Sequence, residues 1–121
     1  MNRNSNPVAG RYPELTTSTP PPVRSGAIVR ESVIESLLVR ETKRLGGMAL
    51  KLVCPGTAGI PDRLVLGPGG RIAFVELKAP GRRPTLLQEY RATQLRGLGF
   101  RVETIDSVED ARRIAREVCR R

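Results

Sequence analysis

The stretch Asp62-Arg63-Leu64-Val65-Leu66-Gly67-Pro68-Gly69-Gly70-Arg71-Ile72-Ala73-Phe74-Val75-Glu76-Leu77-Lys78 holds two apolar runs split by a glycine- and proline-rich break. Runs of this kind on either side of Gly67 to Gly70 read as an antiparallel β-hairpin. With the turn centred on Gly69, cross-strand partners have residue numbers summing to 138, so Leu66 faces Ile72 and Asp62 faces Glu76. Paired residues share a face with their Cβ atoms roughly 5 Å apart, and residues two apart on a strand also share one. Asp62, Glu76 and Lys78 are thereby expected to converge at one end of the hairpin. A slip of one residue would turn Asp62 to the opposite face.

Working outward, the pattern predicts an α/β fold. Upstream, Val33, Ile34, Leu37, Leu38 and Leu45 recur at helical spacing, so a helix is expected from Ile28 to Leu45, stopped by Gly46-Gly47. Met48 to Cys54 reads as a short strand, followed by the glycine-rich loop Pro55 to Pro61. Downstream, Thr85 opens a second helix, with Gln88 placed to complete a capping box, and the helix closes near Gly97 to Gly99. Phe100 to Ile105 is a further strand, and Ser107 with Asp110 marks the start of a last helix, Val108 to about Cys119. The expected order is α-β-β-β-α-β-α, a mixed central sheet flanked by helices. Tyr90 and Phe100 are expected in the core. Residues 1–25, rich in Pro, Ser, Thr and Asn, are expected to form a disordered tail, leaving one domain at 26–121.

Composition narrows the chemistry. The chain has 21 Lys and Arg against 12 Asp and Glu, for a net charge of +9, of which +7 falls in the expected domain. Such a domain attracts polyanions, and with no basic amphipathic helix bearing bulky aromatics, nucleic acid is favoured over a membrane. There is no histidine, which excludes His-based zinc sites and Ser-His or Cys-His catalysis. Cys54 and Cys119 have no metal-binding spacing and no disulfide framework, consistent with a reducing cytoplasm. No secretory signal or bilayer-length apolar run is present.

The hairpin acids therefore carry the argument. Glu-x-Lys on a surface strand is ordinarily a solvated pair, but here it ends the apolar run Ile72 to Val75 and has an acid at the matching position. Two carboxylates that close repel unless a cation lies between them, and oxygen ligands suit Mg²⁺ or Mn²⁺. An ion so held can polarise a phosphodiester, with Lys78 orienting water or stabilising charge. Glu31 and Glu35, four residues apart, share a face of the first helix. Among the cations Arg63, Arg71, Arg82, Arg83, Arg91, Arg96 and Arg101, the pair Arg82-Arg83 directly after the acidic strand is best placed to meet phosphate. Lys51 lies on the first strand and is a further candidate for DNA contact. Aromatic residues make up only 3% of the chain, so stacking on single strands is not indicated.

The succession Gly59-Ile60-Pro61-Asp62, Glu76-Leu77-Lys78 and Gln88, with Gly46-Gly47 before it and Leu98-Gly99-Phe100-Arg101-Val102 after it, resembles the PD-(D/E)xK nuclease superfamily. More narrowly it resembles the VRR-NUC family in its stand-alone, phage-encoded form, over about Val29 to Asp110. The resemblance implies a restriction-endonuclease-like core and a divalent metal held by Asp62, Glu76 and the Leu77 carbonyl. It further implies Lys78 as the catalytic lysine, Glu35 as the helix-one acid with Glu31 in reserve, and Gln88 at the active site. It implies a homodimeric enzyme, similar to resolvases of four-way (Holliday) junctions, in a bacterial or phage-infected cytoplasm. Two rivals stand beside that reading. One is a non-catalytic DNA-binding subunit working with a helicase or another replication, repair or packaging partner; the other is a general duplex nickase.

Overall fold

The computed structural model describes residues 29–120, so the tail expected at 1–25 lies outside the described residues. The elements are α1 (Glu31–Arg44), β1 (Met48–Lys51), β2 (Arg63–Leu66), β3 (Ile72–Leu77), α2 (Leu86–Gly97), β4 (Arg101–Ile105) and α3 (Val108–Cys119), with a 3₁₀ turn at Pro68–Gly70. This is the α-β-β-β-α-β-α order read from the sequence. The first strand is shorter than expected. Its ladder ends at Lys51, one further bond runs from Leu52 N–H to the Asp62 carbonyl (2.8 Å), and Cys54 already belongs to the following turn.

The four strands form one mixed sheet in the order β1-β2-β3-β4. β1/β2 and β2/β3 are antiparallel; β3/β4 is parallel, with α2 as the crossover. The β2–β3 register pairs Arg63 with Val75, Leu64 with Phe74, Val65 with Ala73 and Leu66 with Ile72. Every pair sums to 138, as a turn centred on Gly69 requires.

That register sorts the side chains into two faces. On one face Val65, Ala73, Val75, Leu77 and Ile105 pack against Ile34, Leu37 and Leu38 of α1 and Ala111, Ile114 and Val118 of α3. This is the hydrophobic core, and burying each large aliphatic side chain there stabilises the fold by roughly 1.5–3 kcal/mol. Ser107 caps α3 by accepting from Asp110 N–H (3.1 Å). The other face is covered more sparingly, because among the described residues of α2 only Ala92 is buried. Tyr90 and Phe100, expected inside, are accordingly 56% and 41% exposed, and Phe100 instead meets Phe74 edge-on with ring centroids 5.5 Å apart. A small residue at the helix's point of contact leaves the larger rings beside it uncovered.

The turn between β2 and β3 is locked against α3. A Cβ on Gly67 would lie 2.0 Å from the Val118 carbonyl oxygen, so nothing larger than glycine fits without moving the backbone. Gly67→Ala is expected to destabilise the domain by about 1–3 kcal/mol, overpacking being the cause. Thermal unfolding checks this; an unchanged midpoint would contradict the packing described.

Candidate active site

β3 runs from exposed Ile72 into the buried end of the sheet, and Glu76 is carried in with it, only 5% exposed. An acid so placed loses hydration and needs partners. The Glu76 Oε2 atom accepts from Gln88 Nε2 (2.8 Å) and lies 3.4 Å from Lys78 Nζ. Its Oε1 atom is buried and has no hydrogen-bond partner. Burial first, then repulsion from Asp62, pushes the Glu76 carboxyl from the ordinary 4.5 up to about 7, while Lys78 opposes the shift.

Asp62 ends the loop leading into β2. Its Oδ2 atom accepts from the Leu77 backbone N–H (3.0 Å), tying the two strands together one step beyond the last ladder pair. Burial raises the Asp62 carboxyl, the Leu77 hydrogen bond opposes that, and the charge of Glu35 adds to it. In an extended strand the N–H and C=O of one residue point the same way, so the Leu77 carbonyl also turns toward the β2 side. Lys78 is fixed through its own N–H, which donates to the Ile105 carbonyl of β4 (3.0 Å).

Gln88 joins both of its sequence readings in one geometry. Its N–H donates to Thr85 Oγ1 (3.1 Å) and its Oε1 accepts from Thr85 N–H (2.9 Å), which completes the capping box of α2. With Oε1 so committed, Nε2 is left to donate to Glu76. A helix start thus orients a buried carboxylate.

The two acids of α1 divide. Glu35 accepts from Arg63 Nε (3.0 Å), pairs with Arg63 Nη2 (2.9 Å) and lies 4.0 Å from Lys51 Nζ. Among the described residues Glu31 has no ion pair, yet its charge reaches Glu76. Although the residue is exposed as a whole, partial desolvation of the Glu31 carboxyl, then repulsion from Asp62 and Glu35, raises it. Glu31 therefore lies within charge range of the carboxylate pair, while Glu35, which also acts on Asp62, is clamped by Arg63.

The basic residues need correction. Arg63, expected to meet DNA, has a side chain only 12% exposed and spends its donors on Glu35 and the Ala49 carbonyl. The cause is register: Arg63 pairs with Val75, whose face lies under α1. Lys51, on the same face opposite Arg63, sits near Glu35. Arg71, Arg91, Arg96 and Arg101 are likewise bonded within the domain, to the carbonyls of Arg120, Ala58 and Val102 and to Glu103 and Glu117 respectively. Arg82 and Arg83 are exposed on a loop held by Gly81 N–H donating to Asp106 Oδ2 (3.0 Å). Asp106 was not singled out in the sequence, where its only signal is its place just before the α3 cap. A Cβ on Gly59 would lie 2.7 Å from Leu87 Cγ, so its close approach is to α2.

Over 80 residues the chain is 49% identical to "Putative nuclease p44" of Acyrthosiphon pisum secondary endosymbiont phage 1, covering 66% of this chain and 86% of that protein. A solved structure described as a VRR_NUC domain superimposes with a TM-score of 0.66 at 27% identity, over 71% of this chain and 95% of that one. The chain belongs to the VRR-NUC nuclease family. A second solved structure, a VRR_NUC domain protein, shares the fold at 14% identity with a TM-score of 0.62, covering 76% and 89% of the two chains. No family model matches. No helix among the described residues of this VRR-NUC domain is long and apolar enough to cross a membrane.

The raised Glu76 carboxyl has a consequence for stability. The unfolded chain titrates Glu76 near 4.5 and the folded chain near 7, so folding binds a proton between those values. The contribution is fully present below the unfolded value and is lost as pH rises through the folded one. In EDTA, Glu76→Gln, which cannot ionise, is expected to gain stability relative to the parent by roughly 1–3 kcal/mol between pH 5 and pH 8. Urea unfolding at the two pH values measures the difference; one that does not change with pH contradicts it.

Proposed function

We propose that this chain is a divalent-metal-dependent DNA endonuclease, selective for branched DNA and active as a homodimer in the manner of a Holliday-junction resolvase. The observation that carries the metal is the buried Glu76 carboxylate beside Asp62, with Oε1 lacking any partner. Apolar burial of such a pair is costly unless a cation offsets the charge. Among the described residues no group of three or more Asp, Glu, Cys or His side chains is arranged to hold an ion. Two carboxylates and a backbone carbonyl, with water filling the remaining positions, are a fitting set for a small hard ion that keeps much of its hydration.

In this reading Asp62, Glu76 and the Leu77 carbonyl would hold Mg²⁺ or Mn²⁺, and Glu31 would add a further negative charge near them. When bound, such an ion polarises the scissile phosphodiester and favours hydroxide over water. Lys78, 3.4 Å from Glu76, brings a positive charge to where negative charge grows on the phosphate. Gln88 fixes the Glu76 carboxylate and so the direction in which it faces. Glu35, held by Arg63, keeps α1 against β2 and adds negative field at Asp62. Arg82 and Arg83 meet backbone phosphates, which makes binding dependent on salt and largely indifferent to sequence.

The dimer is supported by the thinly covered sheet face. Register places Leu50, Leu64 and Phe74 in one cross-strand row and Met48, Leu66 and Ile72 in the next. Met48, Leu50 and Ile72 are 56%, 41% and 38% exposed, and Leu86 on α2 is 85% exposed. A contiguous apolar surface of this kind marks an association site, and a twofold pair of active sites suits symmetric incision. Leu50→Asp is expected to convert a dimer to a monomer in light scattering; a parent protein that is monomeric at all concentrations refutes the dimer.

Cleavage of a four-way junction, a flap and a linear duplex, compared in Mg²⁺, Mn²⁺ and EDTA, tests the activity. The junction should be cut fastest, and EDTA should abolish cutting. Asp62→Ala and Glu76→Ala should each lower cleavage by a factor on the order of 10³ or more while DNA binding persists. Full activity in purified Glu76→Ala would sink the assignment. Binding without cleavage in every ion would favour a non-catalytic subunit.

A further inference from the structure

The sparse contact between α2 and the sheet leaves a cleft of about 330 Å³ that opens beside Glu76. Pro61 and Pro84 stand among its walls, with buried Ala92 and Val102 beneath and Thr93, Thr104, Glu89 and Arg96 around the exposed side. We propose that this cleft receives one unpaired nucleobase of the DNA strand being cut. The inference rests on the nuclease reading and deepens it by naming what the enzyme selects.

Four properties of the cleft point to a base rather than to another group. Its volume lies in the range of pockets for small organic molecules. Rigid proline rings and small aliphatic groups provide flat apolar surface, as sites for extruded bases require. Away from Glu76, the Glu89 carboxylate repels a phosphate, and one Arg96 nitrogen is already donating to the Val102 carbonyl (2.9 Å). Thr93 Oγ1 donates to the Glu89 carbonyl (3.0 Å), which leaves its oxygen able to accept. Together with the Glu89 carboxylate it forms an acceptor edge suited to the exocyclic amino and ring N–H groups of bases. Position completes the case: a base seated here lies next to the carboxylates, so the phosphate bearing its nucleotide is delivered to them. Unpaired nucleotides enter at little cost, because no base pair has to be broken.

The test uses two duplexes that differ by a single unpaired 2-aminopurine near the cut, with the parent protein, Thr93→Phe and Thr104→Phe. Both substitutions are at exposed positions on opposite sides of the cleft, one on α2 and one on β4, so one variant serves if the other misfolds. Binding by the parent in EDTA should raise 2-aminopurine fluorescence, since the base leaves the stack for a cleft without aromatic walls. In Mg²⁺ the parent should cut the duplex with the unpaired base about tenfold or more faster than the fully paired one. Both the fluorescence rise and that ratio should collapse in the variants. A bound parent with no fluorescence change, or an unaltered ratio in both folded variants, overturns the proposal. A fluorescence rise lost in the variants, with no cleavage of either duplex by the parent, upholds the base pocket and overturns the nuclease reading.

Discussion

Two carboxylates meet at the open end of a hairpin, and one of them is almost completely buried. That juxtaposition is the constraint on which the rest of this structure depends. Left to itself it is unfavourable, because desolvation and mutual repulsion both act against ionised Glu76. The surrounding groups answer this in a graded way. Gln88 and Lys78 address one oxygen of Glu76, the Leu77 N–H addresses Asp62, and the second Glu76 oxygen is left without a partner. A fold optimised for stability alone would have placed an aliphatic residue at Glu76. Desolvated charges of this kind cluster at functional sites.

Each partner in this arrangement is held by a structural device that serves the backbone as well. The capping box that starts α2 also aims the Gln88 amide at Glu76. The parallel β3–β4 pairing that sets the sheet order also fixes Lys78, through its N–H to Ile105. Arg63 joins β2 to α1 by gripping Glu35, on the face of the sheet away from Glu76. Substitution of any of these residues would thus disturb folding and the site together. Only measurements that separate binding, turnover and stability can apportion their roles.

The two faces of the sheet show a division of labour. One is closed by α1 and α3 over an aliphatic core, while the other meets α2 chiefly through Ala92. The thinly covered face carries both exposed apolar side chains and a cleft beside the carboxylates. Both follow from the same small residue at the helix–sheet contact, since a bulkier one would fill the cleft and shield the neighbouring rings.

Much of this was legible in one dimension. The hairpin register followed from a single turn position, because strand side chains alternate with a period of two and a centred turn leaves one pairing. The helix N-caps at Thr85 and Ser107 and the strand–helix order followed from local chemistry that needs no distant partner. The family resemblance likewise rested on short motifs in a fixed order, and the nuclease relative and solved VRR_NUC structure agree with it. Other features depended on which elements come to lie against one another. Glu31 and Glu35 occupy one helical face in sequence, and only the position of Arg63 beneath α1 assigns Glu35 to an ion pair and leaves Glu31 within charge range of Asp62. Arg63 reads as a surface cation until the register turns it inward. Tyr90 and Phe100 read as core because they are large and apolar, but coverage depends on how closely α2 approaches, which Ala92 decides. Local patterning determined the elements and the paired acids; long-range packing decided which charges those acids see and which surfaces stay open.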